Sequence, residues 1–151
     1  MKKIIASLIF ISLIICSCEK EGAVPNYVGL WSMEQSIDFM GVKTDITINM
    51  EINETNVESI GEMTLQEVQI PAYGSRADLV VEGQKFIMTI TSIGASDGSG
   101  GMIWVEQGGE GWEDKLTEAE LTETIEATYL VVGNKLTLNM PGGVPQVYTR
   151  Q

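Results

Sequence analysis

Between Thr44 and Asn53 apolar and polar residues alternate without a break. Ile46, Ile48, Met50 and Ile52 fall on one side, and Asp45, Thr47, Asn49 and Glu51 on the other. Successive side chains of a strand point to opposite faces, so a period of two marks a strand with one face buried. The same period runs through Trp31, Met33, Ile37 and Phe39, with Gln35 as the one polar residue on that side. It returns at Phe86, Met88 and Ile90, at Ile125, Ala127, Tyr129 and Val131, and at Leu136, Leu138 and Met140. Turn residues separate the runs: Met40-Gly41, Glu82-Gly83-Gln84, Gly133-Asn134 and Pro141-Gly142-Gly143. The pattern predicts strands over 28–40, 43–53, 56–70, 77–82, 85–93, 102–107, 123–131, 135–140 and 146–150. The third is expected to carry a bulge, because its period slips at Ile60-Gly61. Only the capping-box pattern from Thr117 to Leu121 suggests a helical turn. Short meandering strands predict an antiparallel all-β sheet, a sandwich or a barrel, and closure into a barrel removes the exposed edges.

The first residues follow another rule. Met1-Lys2-Lys3 precedes an apolar run from Ile4 to Ile15, too short to cross a bilayer and shaped as a secretory signal. The run ends in Ile15-Cys16-Ser17-Cys18, which holds both cysteines of the chain. This resembles a bacterial lipobox, with an aliphatic residue at −3 and a small one at −1. Ser17 suits the −1 position before Cys18, whereas bulky Ile15 would stand there for Cys16. The resemblance implies residues 1–17 as a lipoprotein signal peptide and Cys18 as the acylated, palmitate-type anchor. Residues 18–26 form the tether, and 27–151 the folded domain. Membrane attachment through acyl-Cys18 is the expected partner contact, on a bacterial outer membrane. Glu19-Lys20-Glu21 resembles the charged export tags of surface-exposed Bacteroidota lipoproteins, or is a solvated spacer.

Charge and composition narrow the chemistry. The chain has 9 basic and 21 acidic residues, for a formal net charge of −12. A surface of that sign repels phosphate backbones, so nucleic acid is not an expected partner. Histidine is absent, which removes Ser-His-Asp and Cys-His mechanisms and His-ligated metals. No cofactor or metal site is expected, and about 130 folded residues make one domain.

Two stretches narrow the fold. Tyr27-Val28-Gly29-Leu30-Trp31 resembles the G-x-W that opens the first strand of lipocalin-like barrels. The run from Ala127 to Leu138, with Val147-Tyr148-Thr149-Arg150, resembles their last hairpin and closing strand. The resemblance implies a lipocalin-like lipoprotein with an eight- or nine-stranded barrel, and Arg150 packed across Trp31 as barrel closure.

Two polar loops, a tryptophan and four methionines are the candidate sites. Ser92 to Gly101 is glycine- and serine-rich, but no Lys-Ser/Thr or helix pattern follows it, so a flexible hairpin tip is expected rather than a phosphate loop. Glu106 to Lys115 clusters four acids around Trp112 without the ligand spacing of a calcium loop, and a solvated loop is expected. Trp112, flanked by glycines, is a candidate gate at the barrel mouth. Met33, Met50, Met88 and Met140 lie on apolar faces, as core filler or as soft walls for a ligand.

Three functions follow. The leading one is a non-enzymatic monomer binding a small, mainly apolar ligand inside the barrel, through Met33, Gln35, Met50, Met88 and Trp112. The second is a filled barrel displaying loops 94–101 and 106–116 to a protein or glycan. The third, a two-carboxylate hydrolase, has no motif behind it. The choice between the first two turns on Gln35: a buried amide there predicts a cavity beside Gln35 and Met33, open toward one loop end.

Overall fold

The computed structural model describes residues 24–39, 42–65 and 68–151. The leader, Cys18, most of the tether and the Met40-Gly41 turn lie outside the described residues, as do the side chains of Ile37 and Phe39. Nine strands and one helix follow in the order β1 (Gly29–Phe39), β2 (Val42–Ile52), β3 (Asn56–Leu65), β4 (Val68–Glu82), β5 (Lys85–Ser96), β6 (Met102–Glu106), α1 (Trp112–Glu118), β7 (Thr124–Val132), β8 (Lys135–Asn139) and β9 (Gln146–Arg150). All pairings are antiparallel.

Eight strands close into a barrel. The circuit runs β1-β2-β3-β4-β5-β7-β8-β9 and returns to β1, where Trp31 pairs with Arg150. β6 is the ninth strand, set against the far half of β5. β5 serves two neighbours in turn: Lys85 to Thr89 pair with β7, and Ser92 to Ser96 with β6. The expected fold class is therefore the observed one.

Two irregularities redistribute the side chains. Gly61 pairs with Tyr73 and Glu62 with Pro71, so Ala72 is the extra residue of a bulge opposite the predicted slip. The predicted strand 56–70 is in fact the whole of β3 and the beginning of β4. β4 starts at Val68 rather than 77, and the bulge accommodates a proline that reads in sequence as a break. In β5, Ala77 pairs with Ile90 and Arg76 with Ser92, leaving Thr91 as a second extra residue. That insertion reverses the alternation, so Ile93 joins Ile90 on the inner face.

The core fills the end of the barrel where β1 begins and β9 ends. Trp31, Phe86, Ile52 and Leu136 are fully buried there. Tyr27, from the entering chain, meets Phe86 and Tyr129 edge-on at centroid distances of 5.2 and 5.4 Å. The rings of Phe86 and Tyr129 stack at 4.1 Å. At the opposite end the walls are unequal, because β1 and β2 have 11 residues each and β8 and β9 only five. Gln35 is exposed: β9 pairs with β1 at Trp31 and Ser32, and among the described residues Gln35 is paired on one side alone, with Ile46 of β2. The buried amide expected at this position does not form.

Candidate functional site at the helix-bearing end

α1 begins at Trp112, after Gly111, whose φ of 80° is a left-handed conformation suited to glycine. No side chain caps this end. The helix stops at Ala119, and Glu120 turns the chain out with a φ of 53°. It therefore lies five residues earlier than the Thr117–Leu121 pattern predicted. The hydrophobic positions decide this. Trp112 and Leu116 are four residues apart, share one helix face and are the two buried residues of α1.

That face packs on Ala77, Ile90 and Ile93, with Met88, Val105, Leu121 and Ile125 around it. The arrangement depends on the Thr91 bulge, which turns Ile93 inward, and on the small side chain of Ala77. Trp112 is 3% exposed, so it is core and not a free gate. The sequence pattern offered no signal for this beyond two apolar residues at helical spacing.

Trp112 nevertheless has an unusual feature. Its indole Nε1 is buried and has no hydrogen-bond partner among the described residues. An unmet buried donor costs about 1–3 kcal/mol. The contrast with Trp31 is direct, since that indole donates to the Tyr27 carbonyl at 2.8 Å.

Four of the five residues suggested for ligand contact divide between two clusters. Met88 touches both, Trp112 belongs to the helix-capped one, and Met33 and Met50 belong to the main core. Gln35 joins neither. Arg150 and Trp31 meet as the resemblance implied, with the guanidinium 4.2 Å from the ring centroid.

Outside the barrel a second Arg–Trp pair went unpredicted. Trp104 of β6 lies across Gly94 of β5 toward Gly74 of β4, under Arg76 at 4.0 Å. A β-carbon on Gly74 would come within 2.9 Å of the indole, so only glycine leaves room. Glu58 holds Arg76 at 2.6 Å, and Ser92 donates to Glu106 at 2.7 Å beside it. The glycine-serine segment is also more ordered than expected, because Asp97 Oδ1 accepts from Ser99 N at 2.7 Å, Ser99 Oγ at 2.8 Å and Gly101 N at 3.0 Å. These bonds hold the Asp97 carboxyl below the usual carboxylate range. Around α1, Glu110, Glu113, Asp114, Glu118, Glu120 and Glu123 are all exposed. Among the described residues no three Cys, Asp or Glu side chains gather as a metal site. Neither protein-family models nor curated proteins match this chain.

Proposed function

We propose that this is a non-catalytic, lipocalin-like lipoprotein of the bacterial outer membrane, anchored through acylated Cys18, that binds a small apolar ligand beneath α1. The observation that carries this reading is the unpartnered Trp112 N–H. A ligand there would be apolar over most of its surface, to suit Ile90, Ile93 and Leu116, and would carry one acceptor such as a carbonyl. Met88 supplies an adaptable wall beside it. The polar handle is thus Trp112 in place of Gln35.

Native mass spectrometry of protein purified from its own membranes tests the proposal. A bound mass that organic extraction removes is expected. Trp112→Phe should lower its occupancy about fivefold, the worth of one neutral hydrogen bond of about 1 kcal/mol. No bound mass in either protein overturns the ligand reading. A second reading then takes its place, favoured by the solid packing of Trp31, Phe86, Ile52 and Leu136. In that reading the barrel is a filled scaffold, and segments 94–101 and 106–116 meet a protein or glycan.

A further inference from the structure

The outer surface formed by β7, β8, β9 and β1 differs from the rest of the molecule. Register aligns Leu130, Thr137 and Val147 in one row across β7, β8 and β9. The next row holds Val132, Lys135, Thr149 and Ser32. Leu130, Val132, Val147 and the nearby Leu30 are 51, 65, 46 and 55% exposed, although each is aliphatic. A chain with 21 acids places none on β8 or β9, none on β7 beyond Glu126, and none on β1 before Glu34. The charge within these two rows is Lys135, with exposed Glu34 and Glu126 at their margin. By comparison, the outer face of β2 and β3 sets Glu51 directly opposite Glu58, a repulsive pairing.

The entering chain reaches the barrel at the same place. Arg150 Nη1 donates to the Val28 carbonyl at 2.9 Å, and Nη2 to that of Asn26, fixing the segment before β1 against the end of β9. Val24 just before it is exposed. Cys18 stands six residues earlier, so an extended tether keeps an acyl group within about 20 Å of this edge. An apolar area with carboxylates only at its margin, a cation beside the β7–β8 turn and a lipid attachment near it has the character of a surface that meets headgroups and the acyl boundary.

We infer that the β7-β8-β9-β1 face lies against the bilayer, with Leu130, Val132 and Val147 at the acyl boundary and Lys135 reaching the phosphates. The barrel then rests on this wall, with the tether end beside the bilayer. This inference rests on acylation of Cys18 and adds to it an orientation that an anchor alone does not impose.

The test uses the full acylated chain in phosphatidylcholine vesicles, after a mass measurement of the N-terminal residue. Cys18 is blocked by its acyl groups, so a single cysteine placed by Val132→Cys or by Val80→Cys takes a fluorophore selectively. Val80 is exposed on β4, near the same end as Val132 but on the other side of the barrel. A nitroxide carried on the lipid should quench the residue 132 label at least about twofold more than the residue 80 label, since interfacial residues sit about 5–10 Å deep. Aqueous iodide should show the reverse order. Equal access of iodide to both labels overturns the inference while leaving acylation intact. Shielding at 132 that ignores the lipid nitroxide and rises with protein concentration also overturns it, in favour of a second copy. A mass without acyl groups overturns the anchor itself.

Discussion

Trp31 and Arg150 are direct cross-strand partners at the seam where the first strand meets the last, and the guanidinium lies 4.2 Å from the indole centroid. One residue, Arg150, thus closes the barrel in three ways. It stacks on the ring, donates to the Val28 and Asn26 carbonyls, and continues the ladder. A β-carbon on Gly29 would stand 2.6 Å from its Nη1, so the glycine leaves the guanidinium its place.

Arg150→Ala should therefore lower stability by about 1–3 kcal/mol, from the lost cation–π contact and two charged hydrogen bonds. Arg150→Lys should recover less than half, because an ammonium lacks the planar fork that reaches both carbonyls and covers the ring. Urea unfolding checks this through the midpoint, with the slope unchanged if the barrel still forms.

The outer Arg76–Trp104 pair makes a separate prediction for β6. A β-carbon on Gly94 would meet Met102 Cε at 2.5 Å and Trp104 Cε3 at 3.0 Å. Met102 can swing aside, whereas Trp104 is held between the strand and Arg76. Gly94→Val should cost about 1–3 kcal/mol and expose the indole. A red shift of tryptophan emission measures it, and adding Trp104→Ala should remove that shift.

Tyr148 governs behaviour in alkali. Burial, with a smaller contribution from Tyr73, pushes its hydroxyl from 10.0 up to about 12, while the hydroxyl donates to Gln146 Oε1 at 3.1 Å. The folded state holds this proton more tightly than the unfolded one. Its contribution is complete below pH 10 and is lost as pH rises toward 12. Stability should fall by about 2–3 kcal/mol over that window. Tyr148→Phe should make the decline shallower without abolishing it, because burial raises Tyr27 in the same direction.

Asp97 gives an acid counterpart confined to one loop. Its lowered pKa means that the folded loop favours the ionised carboxylate, so the order it supplies is present above the ordinary carboxylate range. That order is lost as pH falls through the lowered value. Amide hydrogen exchange at Ser99 and Gly101 should be slow at neutral pH and fast in Asp97→Ala, with the rest of β5 and β6 unchanged.

Much of the barrel is legible in the order of residues. Strict alternation from Ile46 to Ile52 assigns a buried face whatever the partner strand, because the pleat alone imposes a period of two. Glycine- and asparagine-bearing turns locate most strand ends, and G-x-W with a terminal arginine points to the closing pair. Other features depend on what lies across the barrel. Gln35 and Trp31 share one face of one strand, yet Trp31, where β1 is paired on both sides, is buried, and Gln35, beyond the pairing with β9, is exposed. Single extra residues at Ala72 and Thr91 decide which side chains point inward, and no local preference marks them as extra until the opposing strand counts them. Trp112 reads as a loop residue among glycines and acids; only the surface formed by Ala77, Ile90 and Ile93 gives it something to bury against. Alternation is a property of a strand alone, whereas burial is a property of the wall that faces it.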